Sequence, residues 1–66
     1  MTVKHPEIKV QLTGQDGNGF FIVSRVRQAM ERAGVDRSEI ETFWNDATSD
    51  DYDHLLMTCM RWVDVS

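Results

Sequence analysis

The chain has one cysteine, one proline and no apolar run longer than the four residues Phe20 to Val23 in its 66 residues. The lone Cys59 excludes an internal disulfide framework and fits a reducing compartment, with burial as its expected role. A run of four is far too short to cross a membrane, and Met1 opens no signal-peptide pattern, so a cytoplasmic protein is expected, with no membrane partner. Metal ligands are equally sparse. Asp50 and His54 share a helical face at i, i+4, but two ligands make no site, and His54 to Cys59 is a five-residue step that separates their faces. The run Asp16-Gly17-Asn18-Gly19 lacks the spacing and the distal glutamate of a calcium loop. No Gly-Lys-Ser/Thr follows the glycines, and no nucleophile shares a face with a base. The sequence therefore leads us to expect no metal, no cofactor and no enzymatic activity.

What is present is the composition of a small globular protein, 41% hydrophobic and 27% charged, which argues against disorder. A chain of this length forms one domain, 1–66, with a thin core, since it buries only about 60% of its unfolded surface. The net charge of −4 is unevenly spread. Through residue 37, six basic residues oppose Glu7, Asp16, Glu31 and Asp36, giving +2; from residue 38 onward only Arg61 opposes seven acidic residues, giving −6. Such asymmetry can orient a protein against a charged partner, or simply keep two helix faces solvated.

Hydrophobic spacing orders the chain as β-α-α-α-β. Residues 1–7 read as a lead-in held extended by Pro6. Ile8, Val10 and Leu12 alternate with polar residues, which predicts a half-buried strand over 8–13. Three glycines in the six residues 14–19 make a turn. Phe20 to Val23 is β-prone, yet Ile22, Val26, Ala29, Met30 and Ala33 continue at helical spacing. With Asn18 as N-cap and Gly34 as the C′ residue, the spacing predicts a helix over 19–33. Asp36 and Glu39 form a capping-box pair ahead of a helix over 37–47, whose stripe is Ile40, Phe43, Trp44 and Ala47.

A third helix over 50–62 has the strongest pattern. Tyr52, Leu55, Leu56, Cys59, Met60 and Val63 fill one arc and leave Asp53, His54, Met57, Thr58 and Arg61 outside it. Thr48 or Ser49 is its expected cap, and Asp50, Asp51 and Asp53 suit its positive N-terminal end. A lone strand cannot stand, so Val63 to Val65 is expected to pair with the first strand in a small two-stranded sheet; the 20–23 segment, or a second copy of the chain, are the other candidates. The fold class is thus α+β, three helices packed with that sheet. Its expected core is Ile8, Val10, Leu12, Ile22, Val26, Met30, Ile40, Phe43, Trp44, Leu55, Leu56, Cys59 and Met60.

Three surface features remain. Met57 and Phe20 miss the core arcs and Trp62 sits at the edge of one; exposed residues of this kind serve as anchors for another protein. Phe21, Arg25, Gln28 and Arg32 form one exposed stripe on the first helix, which adds Arg25 and Arg32 to the candidate partner-binding residues. Gly17, Asn18 and Gly19, at the mouth of that helix, have the arrangement that cradles an anion, although Asp16 opposes it. Finally, Met30, Gly34, Ile40 and Phe43 echo helix-turn-helix spacing. The second helix of that pair nevertheless carries Glu39, Glu41 and Asp46 against Arg37 alone, which disfavours nucleic acid.

The stretches Val10-Gln11-Leu12-Thr13-Gly14, Asp16-Gly17-Asn18, Tyr52-Asp53-His54-Leu55-Leu56 and Thr58-Cys59-Met60-Arg61-Trp62-Val63 resemble a family of short uncharacterised bacterial, plasmid and phage proteins. That resemblance covers most of the chain and implies an accessory protein, of a mobile element for instance, with no residue roles to transfer. The leading expectation is a non-enzymatic protein that acts by binding an unidentified protein partner, a homodimer being compatible with its free strand edge. Nucleic-acid binding through Arg25, Arg27, Arg32 and Arg37, and anion binding at the glycine-rich loop, are the alternatives.

Overall fold

A computed structural model of the chain describes residues 3–11 and 18–65. Strand β1 (His5–Val10) is followed by helices α1 (Gly19–Arg32), α2 (Arg37–Ala47) and α3 (Tyr52–Trp62), and strand β2 (Val63–Val65) continues directly from α3. The two strands pair in parallel, matching His5 with Val63, Lys9 with Asp64 and Val10 with Val65. A parallel pair needs a long crossover, and here all three helices form it. The expected α+β order and the pairing of the chain's two strand segments are both present.

β1 starts earlier than its alternation indicates. His5, Pro6 and Glu7 belong to the strand rather than to a lead-in, because Val63 lies opposite His5 and the Lys4 N–H donates to the Arg61 carbonyl at 2.8 Å. The register shifts between His5 and Lys9, the interval holding Pro6, which has no N–H to offer a ladder. Leu12, Thr13, Gly14 and Gly17 lie outside the described residues.

The helix ends follow from local chemistry. Asn18 caps α1, its side-chain oxygen accepting from the Phe20 N–H at 3.0 Å. At the other end Gly34 takes φ +84°, the Val35 N–H reaches the Met30 carbonyl and the Gly34 N–H reaches that of Glu31, a Schellman closure. Asp36 and Glu39 do not form the expected capping box: Asp36 makes no side-chain cap bond, and the Glu39 carboxylate lies 3.2 Å from His5 Nε2, tying α2 to β1. Asp51, not Thr48 or Ser49, caps α3, accepting from the His54 N–H at 2.9 Å. Thr48 and Ser49 instead donate their hydroxyls back to the carbonyls of Trp44 and Asp46, closing α2.

The core gathers Ile8 and Val10 of β1, Ile22, Val23, Val26 and Met30 of α1, Ile40, Phe43 and Ala47 of α2, and Leu55, Cys59 and Trp62 of α3, with Val63. Trp44 and Leu56 pack at its margin. The phase of α3 differs from the expected one. Met60 is 57% exposed and Tyr52 is exposed, whereas Thr58 and Trp62 are buried. Two contacts set this rotation. Trp62 packs edge-on against Phe43, ring centres 5.8 Å apart, and His5 stacks on it at 6.1 Å. Thr58 can be buried because its hydroxyl donates to the His54 carbonyl at 2.8 Å.

Trp62→Ala is expected to remove about 3–5 kcal/mol. A domain of this size has roughly 0.05–0.15 kcal/mol per residue, about 3–10 kcal/mol in total, so that loss should remove a large part of its stability. Met60→Ala should stay within about 0.5 kcal/mol. Urea denaturation followed by circular dichroism distinguishes them; equal costs would mean that α3 is rotated as its apolar arc alone indicated.

Candidate functional site

Large apolar side chains are exposed where they have no packing reason to be. Phe20 is 67% exposed, Met57 54%, and Phe21 and Tyr52 are both 43% exposed. Most of them meet at the N-terminal turn of α1. Phe20 and Phe21 lie in that turn, and Trp44 of α2 meets Phe20 edge-on with ring centres 5.9 Å apart. On the opposite flank Gly19 lies so close to α3 that a Cβ there would sit 3.3 Å from both the Tyr52 ring and the Leu55 methyl. Gly19 thus serves the approach of α1 to α3.

From this turn the apolar surface continues along α3. At 100° per residue, Trp62, Leu55, Cys59, Tyr52, Leu56, Met60 and Met57 occupy roughly 220° of the helix circumference, interrupted by Asp53, whereas a helix covered on one side needs little more than about 100°. The first part of that arc faces the core. The remainder, Tyr52, Met60 and Met57 with Leu56 at its border, faces solvent.

Arg27 completes the aromatic cluster. Its guanidinium lies 4.6 Å from the centre of the Trp44 ring, a cation–π stack, and its buried Nε has no hydrogen-bond partner among the described residues. Aromatic and arginine side chains of this kind dominate the energetics of protein interfaces.

The expected site residues divide accordingly. Phe20 and Met57 are exposed, as their off-arc positions indicate. Trp62 is not an anchor: it is 7% exposed, held between Phe43, His5 and the Lys4 ammonium 4.3 Å from its ring centre. Phe21, Tyr52 and Met60 join the surface, although sequence spacing put Tyr52 and Met60 on the apolar arc of α3, and Trp44, packed at the core margin, borders it. Arg25 and Arg32 face the β1 side of α1 and line a groove there with Lys9. Arg27 and Arg37 lie on the other side, between α1 and α2, beside Glu31 and Glu41. The four arginines of the nucleic-acid alternative therefore split between two grooves, one of which also carries carboxylates. Of the anion-cradle residues, Gly17 is outside the described residues, Asn18 already occupies the Phe20 N–H, and Gly19 is pressed against Tyr52 and Leu55.

His54 is half-buried rather than freely solvated. Its Nε2 lies 2.8 Å from the Asp46 carbonyl oxygen, 3.3 Å from an Asp46 carboxylate oxygen and 3.4 Å from the Ser49 hydroxyl. Serine, histidine and aspartate thus meet, but a relay needs the base to hold the nucleophile with one ring nitrogen and the orienting acid with the other. Here all three contacts fall on the same nitrogen, and the cluster clamps the end of α2 to α3. Among the described residues no group of three or more His, Cys, Asp or Glu is placed to hold a metal, and no helix is long and apolar enough to cross a membrane.

Burial pushes the Cys59 thiol up from 9.0 to about 11, a backbone hydrogen bond opposing this only partly. The folded state therefore keeps the thiol proton after the unfolded state has lost it. The stabilisation this gives is fully present below pH 9.0 and is lost as pH rises through about 11. Stability of the wild type relative to Cys59→Ala should accordingly be constant through neutral pH and fall across that alkaline window, as read by urea denaturation. Native Cys59 should react with a neutral thiol reagent far more slowly than in denaturant. A difference that is flat with pH, or equal labelling rates, would place the thiol in solvent.

Compared with known protein families, with curated proteins and with solved structures, the chain matches none.

Proposed function

We propose that this protein acts by binding another protein through the apolar surface around the first turn of α1, extended along the outer side of α3. The observation that carries this reading is the exposure of Phe20, Phe21, Tyr52, Met57 and Met60 in so small a domain. An exposed hydrophobic cluster costs solubility and invites aggregation, so a contiguous one marks an interaction surface. Aromatic rings supply large contact area with few rotatable bonds, and the methionines add an adaptable margin. The Arg27–Trp44 stack adds an arginine and a further aromatic ring at the edge of this surface. The resemblance to short plasmid and phage proteins fits an accessory role of this kind, in which the small protein occupies a larger one.

The chemistry of the site favours this over catalysis. The grooves are open, and the close titratable pairs, His5 with Glu39 and His54 with Asp46, serve to join α2 to β1 and to α3. Binding to a second copy of the chain is the simplest version of the same reading, since a two-fold contact would cover the surface with itself.

The test is capture from host lysate by the wild type and by Phe20→Asp, with circular dichroism confirming that the variant is folded. Phe20 is largely exposed, so its replacement should cost stability little. The wild type should retain a stoichiometric partner, or elute as a dimer, and Phe20→Asp should lose it, weakening binding by about 2 kcal/mol or more. Equal retention by the two proteins, or a wild type that stays monomeric and retains nothing above a control, would refute the proposal.

A further inference from the structure

The groove between β1 and α1 has a chemistry of its own. Its volume is about 210 Å³, and its described lining includes Lys9, Gln11, Arg25, Gln28 and Arg32, three cations and two amides with no carboxylate among the described residues. This holds in a protein whose net charge is −4. Asp64 pairs with Lys9 across the sheet, and none of the three cations makes an ion pair among the described residues. Three uncommitted cations on one concave surface attract a negatively charged ligand.

Geometry narrows the class of ligand. The groove is open rather than enclosed, so a ligand lies against it with one side in solvent. Arg25 and Arg32 are seven residues apart on one helix, about 10.5 Å at 1.5 Å per residue. An extended peptide advances about 3.3 Å per residue, so carboxylates about three residues apart match that spacing. The described lining comes from β1 and α1 with the residue after β1 and includes none of β2, and among the described residues β1 has one edge that no strand occupies. A free strand edge offers main-chain groups to an extended segment.

The groove also joins the apolar surface. Arg25 and Gln28, which line it, line with Phe20 and Phe21 a second depression at the start of α1. Down this side of α1, then, Phe21, Arg25, Gln28 and Arg32 present one apolar and three polar positions in order.

We infer that the partner docks through an extended acidic segment, its carboxylates on Lys9, Arg25 and Arg32 and an apolar side chain at one end on Phe20 and Phe21. This rests on the protein-binding reading above and names the chemistry of the partner. Nucleic acid is the weaker occupant for two reasons. Beside the three cations the described lining has no aromatic ring, and the two rings next to them, Phe20 and Phe21, lie at one end only, so successive bases have no row of rings on which to stack. The molecule measures only 26 × 24 × 23 Å, so a long polyanion also meets the acidic second half, within a few screening lengths of about 8–10 Å.

The experiment is a titration of the isotope-labelled full chain, followed by amide shifts, with three probes. One is a short peptide of serines with an aspartate at every third position, led by a leucine, the second its lysine-for-aspartate counterpart, and the third an oligothymidylate of similar length. The acidic peptide should shift residues 9–11 and 20–32 selectively, weaken with added salt, and lose affinity about ten-fold or more with Arg25→Glu plus Arg32→Glu. The lysine peptide should not bind. Tighter binding of the oligothymidylate, no binding of the acidic peptide, or an affinity that the double variant leaves unchanged would overturn the inference. Partner capture separates this failure from that of the parent reading: if Phe20→Asp abolishes capture and the arginine double variant does not, protein binding stands and the acidic segment falls.

Discussion

The contact on which the rest depends is the packing of Trp62. It lies at the end of α3, one residue before β2, and touches both the middle of the core and the start of the chain. Phe43 meets it from α2, His5 stacks on it from β1, and the Lys4 ammonium lies over its ring. The adjoining main-chain bond from Lys4 to the Arg61 carbonyl brings the first strand to the last helix. A two-stranded parallel sheet has too few hydrogen bonds to stand alone. It stands because the indole fixes where α3 ends and β2 begins, and β1 pairs with the strand so placed. The loop this closes spans nearly the whole chain, an entropic cost that local helix formation cannot repay by itself.

That placement also decides which side of α3 reaches solvent. With Trp62, Leu55, Cys59 and Thr58 turned inward, Tyr52, Met60 and Met57 cannot be covered by the same core. The exposed apolar surface is therefore a consequence of closing the sheet, not an accident of loose packing. Gly19 brings the first turn of α1 against Tyr52, and Phe20 and Phe21 extend the surface onto the next helix. The polar bonds around the core do a different job. His5 with Glu39 and His54 with the Asp46 carbonyl fix α2 to β1 and to α3, so the apolar residues are presented by a braced frame.

Much of this was legible in residue spacing. The order of elements, the 37–47 helix, the cap at Asn18 and the closure at Gly34 follow from patterns whose physics is local. The phase of α3 was not legible, because apolar residues cover so much of its circumference that two overlapping arcs fit equally well. Only contacts from distant residues choose between them: His5 and Phe43 select Trp62, and a main-chain acceptor makes room for Thr58. β1 began early for the same reason, since the residues that pair with it are 58 positions away, as His5 and Val63 show. The groove at Lys9, Arg25 and Arg32 was half visible, as a stripe on one helix, and needed the sheet to supply its other wall.

The most direct measurement is the effect of a soluble paramagnetic probe on side-chain signals of the folded protein. The methyl groups of Met57 and Met60 and the ring protons of Phe20 should broaden strongly, while those of Met30, Phe43 and Trp62 stay sharp. A protected Met60 beside a broadened Trp62 would contradict both the rotation of α3 and the surface built on it.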